Sequence, residues 1–570
     1  MKKKSVAVLT SLLASAMLLS ACSQPAPGRN GGSSDGESKK TNQVIAASDP
    51  SKLPETAKNR KDTLIVGITA PSGKFNPIFA DSTYDNYVTS LVFSGLVTND
   101  DEGLPVGDVA ESWEISEDQK TYTFKLKEGI KFSNGDELTA EDVAFTYTAL
   151  ADPDYDGPRA DAVETLLGYE EYNKGNAKEI AGIKVIDKSN ISFTLKEVKA
   201  SAIYDFAYGI MSKNYYGFEK GGIQKLKDMF LKPMGSGAYK LSDYKPGATV
   251  SFEKNDGYFK GAAKIPNIIM KVTNAQTNIQ ELEAGTVDID RIPANEKNVT
   301  VLKNDGFLNL QLFEQNGYGY IGLNTRLPKF SDVKVRQALT YGLDRKSFND
   351  LYYTGYAVVP NSQFASSSWA YTEDLNSYDY DVEKAKSLLD EAGWKLSDDG
   401  FRYKDGEKFT IKWMTYTGSK YVDTLIPILK DNYQKIGIEV VPELVEFSTL
   451  SSRVFDKQDF EMFNMAWSLS IDPDPSGLFA ASQDTLGGFN SVGWHPEKSE
   501  ELLAKGLATT NLEERAEIYK EWSKLFNEEL PYILLNRSMD MYAVSSRVKN
   551  INISAFKDWT YDIHLAELEQ

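Results

Sequence analysis

The sequence predicts a mixed α/β protein of two or three domains. Three observations predict it. Strand-type and helix-type hydrophobic periods alternate along the chain. Of 570 residues, 41% are apolar and 12% aromatic, enough for large cores. Beyond the first two dozen residues, no apolar run approaches the roughly 20 residues of a membrane span, so the body reads as soluble.

The chain starts Met1-Lys2-Lys3-Lys4, followed by an apolar run over residues 6–21. A basic start, a short apolar stretch and small residues at its end make an export signal over residues 1–21. Cys22, the single cysteine, closes it. Leu19-Ser20-Ala21-Cys22 resembles the lipobox of bacterial lipoproteins. That resemblance implies cleavage before Cys22, lipidation of its sulfur, and a place on the outer face of the cytoplasmic membrane. One acyl chain binds only marginally, so stable anchoring takes more than one. Residues 23–62 contain Pro25, Pro27, the run Gly31-Gly32-Ser33-Ser34-Asp35-Gly36 and scattered lysines. With few large apolar residues they read as a flexible tether.

Folded structure is expected from Thr63-Leu64-Ile65-Val66-Gly67, a short apolar strand. Residues 121–126 alternate polar and apolar, the period of a half-buried strand. Asn134-Gly135 is a turn signal. Thr139 caps a helix with Glu141 and Asp142 in its first turn. Val335, Ala338, Leu339 and Leu343 share one helical face behind Ser331 and Asp332. Ala385, Leu388, Leu389 and Ala392 form another, ended by Gly393. Asn511 and Glu514 open a third helix, whose Arg515, Tyr519, Trp522 and Phe526 share a side before Pro531. Residues 438–441 and 461–467 read as strands.

Five segments together are similar to the family of extracytoplasmic solute-binding proteins that serve oligopeptide and dipeptide ABC importers. They are Val109-Ala110-Glu111-Ser112-Trp113 continuing to Val143, Met234-Gly235-Ser236-Gly237-Ala238-Tyr239, and Leu323-Asn324-Thr325 leading into Asp332 to Leu339 and Asp344-Arg345. The fourth is Ala385 to Trp394 and the fifth Glu529-Leu530-Pro531-Tyr532. Each alone is weak; their order over nearly the whole body is specific. Arg336 and Asp344 within them read as surface charges able to pair.

The resemblance implies a two-lobed, periplasmic-binding-protein-like (Venus flytrap) α/β fold. Lobe one would be 63–105, 232–320 and 536–570, with an extra subdomain, 106–231, inserted in it. Lobe two would be 321–535. The crossings near Tyr320 and Leu535 would be the hinge. It also implies the site. In the best-known peptide receptors a Trp-x-x-Asp aspartate binds the peptide's ammonium. Here the segment is Trp467-Ser468-Leu469-Ser470-Ile471-Asp472-Pro473-Asp474-Pro475, and Ser470 fills the aspartate's slot. A hydroxyl cannot neutralise a buried ammonium. Either Asp472 or Asp474 takes the role, or the ligand is not held by its N-terminus. Trp467 would form a cleft wall, with core burial as the rival reading. Ser468 would offer backbone hydrogen bonds to an extended peptide. Ser72 and Asn76 would face them from lobe one, and Asn536 would lie at the second crossing.

The function implied is an ABC importer's binding lipoprotein that captures oligopeptides and delivers them to permease subunits, acting as a monomer. A surface-anchored oligosaccharide-binding or peptide-sensing receptor is the alternative. A net charge of -19 argues against nucleic acid. Two histidines, His495 and His564, leave little for a metal site, and no cofactor is expected. Asp472-x-Asp474-x-Ser476-Gly477 mimics a calcium loop, but prolines interrupt it and its twelfth position is Gln483. The same acids, two apart on one loop, cannot flank a glycosidic bond. The Gly-x-Ser-x-Gly match at 32–36 falls in the tether, and no Walker loop is present. An enzyme is not expected.

Overall fold

A 14-residue strand, Tyr532–Ser545, organises the molecule. In this computed structural model, which describes residues 43–569, its first part pairs with Gly317–Leu323 and its second with Leu308–Glu314 and Ile289–Arg291. It is buried along nearly its whole length, although Asn536, Arg537, Ser538 and Asp540 interrupt its apolar residues. On one side the sheet continues through Met462–Ser468, Thr410–Tyr416 and Glu439–Val445. On the other it continues through Thr63–Ile68, Asn267–Val272, Thr249–Lys254 and Tyr239–Lys245.

The architecture is α/β and two-lobed. One apolar core gathers Leu64, Val66, Ile268 and Met270 with Val544 and Trp559. Two others, built only from residues between Tyr318 and Leu535, cover the sheet around Gly317–Leu323. Ala110–Ile115, Thr121–Leu126, Asn190–Thr194 and Ile183–Val185 form a separate four-stranded sheet. Helix Ala140–Leu150 starts beside it with the expected capping box, Thr139 and Asp142 satisfying each other's backbone N–H groups. Among the described residues, no helix is long and apolar enough to cross a membrane.

The chain passes between the two sides at Gln315-Asn316, linking Leu308–Glu314 to Gly317–Leu323, and again within Tyr532–Ser545. Arg537 ties the passages together. Its Nε donates to Gly317 O at 3.0 Å, its Nη2 to Ser362 O and Gln363 O, and its Nη1 lies 3.6 Å from the Glu314 carboxylate. Both charges are buried, where a paired and hydrogen-bonded arrangement is what keeps them tolerable.

Two expectations need correction. Part of the tether is folded: Gln43–Ile45 adds as a strand to Leu310–Leu312, and helix Glu55–Lys58 buries Ala57. Ile45 and Leu53 pack against Leu308, Leu310 and Leu312. Few apolar residues suffice there, because they dock on an existing sheet edge instead of building a core. Residues 1–21, Cys22 and the tether up to residue 42 lie outside the described residues. Arg336 and Asp344 do not pair. Arg336 is buried, bonding Glu529, Phe330 O and Ser331 O, while Asp344 caps the helix Arg345–Tyr353 through Ser347 N–H.

Candidate functional site

Parallel strands Thr410–Tyr416 and Glu439–Val445, together with Met462–Ser468, end at the same edge of the second side. The carboxyl ends of such strands are where ligands settle in α/β sheets. Thr410–Tyr416 pairs with Met462–Ser468 only at Trp413 and Met414. Ala466 and Ser468 are exposed, so the end of that strand has an accessible face. Trp467 points the other way. Its ring stacks on Tyr320 at 6.1 Å and meets Phe489 edge-on at 5.6 Å and Phe455 at 5.9 Å. Phe489 remains exposed.

The loop that follows is held from the first passage. Leu469 N–H donates to Asn316 O, and Asn316 Nδ2 donates to Leu469 O and Ser470 O. Ser470 Oγ donates to Asp472 O at 2.7 Å. Asp472 turns inward, only 7% exposed, and meets Arg515 in a bidentate pair at 2.7 and 2.8 Å. Arg515 also donates to Gly506 O and Tyr519 OH. Burial pulls the Arg515 pKa down, but the hydrogen bond and charge of Asp472 outweigh it and leave it raised.

Asp472 as ammonium ligand is therefore corrected: its charge is neutralised inside the protein, and both oxygens are engaged. Asp474 differs. It is half-buried, its Oδ1 accepts Ser476 N–H and its Oδ2 the Ser476 hydroxyl, and no cation pairs with it among the described residues. Burial raises its pKa, opposed by those two hydrogen bonds. A narrow cavity with room for about one water molecule runs beside it. Tyr318, Gln363, Phe364, Ser470 and Asp474 line it. The Tyr318 hydroxyl and Gln363 Oε1 are buried there without hydrogen-bond partners.

From the first side, Ser72 is exposed in the loop after Thr63–Ile68. Its hydroxyl and N–H both donate to Asp85, which also accepts the N–H groups of Gly73 and Lys74. Asn76 is not a cleft residue: it is 2% exposed, with Oδ1 accepting Ile78 N–H and Nδ2 directed at Met211 Sδ. Asn536 is also internal. Tyr421 OH donates to its Oδ1 at 2.8 Å and its Nδ2 donates to Tyr353 OH at 2.9 Å. Gly319 makes room for it, since a Cβ there would stand 2.4 Å from Asn536 Oδ1.

Sequence reasoning missed Arg515, Tyr318 and Gln363 as site residues. Arg515 gave a signal. A charged residue on a stripe of Tyr519, Trp522 and Phe526 needs an internal acid partner. Tyr318 and Gln363 gave none, because only the fold brings residues 318, 363 and 474 together.

The model of the bacterial extracellular solute-binding proteins, family 5, matches residues 105–489. The oligopeptide-binding protein AppA of Bacillus subtilis (strain 168) is 31% identical over 484 residues, covering 83% of this chain and 85% of its own. Its structure with a nonapeptide superposes with a TM-score of 0.65 over 89% of this chain and 99% of that one, at 28% identity. Heme-binding protein A of Haemophilus influenzae is 27% identical, covering 88% of this chain and 92% of its own. NikZ of Campylobacter jejuni, solved with Ni(L-His), gives a TM-score of 0.67 at 26% identity, covering 89% of this chain and 99% of its own.

Proposed function

Because the chain belongs to family 5 of the bacterial extracellular solute-binding proteins, we propose that it captures oligopeptides outside the cytoplasmic membrane for an ABC importer. The observation that carries this reading is the match to the oligopeptide-binding AppA along most of both chains. Lobe one comprises 63–105, 232–320 and 536–570, the inserted subdomain 106–231, and lobe two 321–535. The division of apolar cores supports the separation of lobe two, while lobe one and the insertion share one core. The passages at Gln315-Asn316 and around Arg537 act as the hinge, and ligand touching both lobes favours the closed form. Cys22 carries the lipid that keeps the receptor at the membrane.

An extended peptide lies along the accessible end of Met462–Ser468, using backbone groups at Ser468, with Trp467 and Phe489 forming an apolar wall. Ser72 faces it from lobe one. Its free ammonium approaches Asp474. The loop's charge supports this: Asp472 and Arg515 cancel, leaving Asp474 as a carboxylate with no cation paired to it among the described residues. Gln363 Oε1 and Tyr318 OH are spare acceptors beside it. The test is calorimetry on Asp474→Asn with one nonapeptide in free and N-acetylated forms. The native protein should prefer the free form by tenfold or more, about 1.4 kcal/mol. The variant should lose that preference. An unchanged preference refutes the role of Asp474 but leaves peptide capture standing.

A further inference from the structure

The inserted subdomain reaches lobe two behind the loop that carries Asp472 and Asp474. Gln119 sits in the turn between Ala110–Ile115 and Thr121–Leu126 with φ at 58°. A non-glycine residue holds that left-handed conformation only where its surroundings impose it. Here the hairpin turn imposes it, with Gln119 N–H donating to Ser116 O and Ser116 N–H to Thr121 O; the side chain is then aimed across to another element. Gln119 Oε1 accepts the Thr510 N–H at 2.6 Å and the Thr510 hydroxyl at 3.0 Å, while its Nε2 donates to Ala508 O at 3.4 Å.

Ala508 and Thr510 join helices Glu497–Leu507 and Leu512–Glu529. Helix ends leave backbone groups unsatisfied, and one amide here supplies both a donor and an acceptor to that junction. A second contact accompanies it. Tyr204 OH donates to Gly103 O at 2.7 Å, and the Trp369 indole lies beside the same hydroxyl. Gly103 in turn abuts Ile471, whose Cγ2 would stand 3.2 Å from a Cβ at that glycine. Residues 103, 119 and 204 belong to the first lobe and its insertion; residues 369, 471, 508 and 510 belong to the second.

We propose that Gln119 is a latch, holding the inserted subdomain to lobe two in the closed form whether or not ligand is present. The inference rests on the lobe motion assigned above. Rotation about the two passages separates the partners, and water replaces the hydrogen bonds. The latch therefore sets the fraction of unliganded receptor that is closed. Through that fraction it scales apparent affinity without touching ligand.

The experiment places spin labels at Glu117→Cys and Glu513→Cys, two exposed positions, in a Cys22→Ser background. Double electron–electron resonance then reads the interlobe distance with no ligand added. Gln119 is compared with Gln119→Gly, which removes the amide while favouring the left-handed backbone, and with Gln119→Asn as a second turn-compatible variant. The short-distance population relative to the long one should fall about fivefold in both variants, the scale of one net hydrogen bond. Nonapeptide affinity, measured in parallel, should fall in proportion to the closed fraction. Identical distance distributions in all three proteins overturn the latch. If distances shift but no peptide binds, the latch stands and the peptide reading fails.

Discussion

Truncating Arg515 to alanine will destabilise the protein by about 3–5 kcal/mol. The magnitude follows from what is left behind. The Arg515 side chain is 0% exposed and Asp472 7%, so neither charge is relieved by water. Two charge-assisted hydrogen bonds, at 2.7 and 2.8 Å, disappear together. Gly506 O and Tyr519 OH lose a donor as well. Asp472 then keeps the Asp474 N–H at 3.0 Å and no cation. The assay is urea unfolding, read as a lower midpoint at constant slope. Arg515→Met, Asp472→Asn and the variant carrying both provide the cycle. Removing both charges should destabilise less than the sum of the single changes, because no unpaired ion remains. Additive losses, or a single-variant loss below about 1 kcal/mol, would refute the argument that this pair fixes the loop.

Two further outcomes concern Asp290 and its neighbour Gly67. Burial raises the Asp290 pKa to about 6, opposed by the Thr273 hydroxyl and the Arg291 N–H. From the unfolded value near 3.9 up to that pKa, the folded state holds a proton that the unfolded state has lost. Stability should therefore fall as pH rises across that window and level off above it. Asp290→Asn should remove about 2–3 kcal/mol of that decline in urea titrations at stepped pH. A slope identical to the native protein's would contradict the burial argument. At Gly67, an added Cβ would stand 2.0 Å from Asp290 Oδ2. Gly67→Ala should lower stability by about 1–3 kcal/mol in the same assay, and a neutral effect would show the carboxylate moves aside freely.

Local signals gave the elements well. Thr139 and Asp142 form their capping box, and Asn511 caps Leu512–Glu529. Residues 461–467 form a strand displaced by one residue, Met462–Ser468. These features depend on neighbours within four residues, which a sequence displays. The failures depend on distant partners. Asp472 and Asp474 look alike in sequence, both followed by proline. Only Arg515, on another element, separates a neutralised aspartate from a free one. Asn76 and Asn536 look like exposed polar residues, yet Met211, Tyr353 and Tyr421 enclose them. Residues 43–62 look too polar to fold, because the sheet edge that receives Gln43–Ile45 lies more than 260 residues away.

Peptide capture is tested by native mass spectrometry of the purified protein, followed by release and sequencing of whatever it carries. A population of peptides with free amino termini, displaced by an added nonapeptide, is expected. A bound heme, a nickel complex or a sugar in the cleft, with no displacement or thermal shift from added peptides, would contradict it.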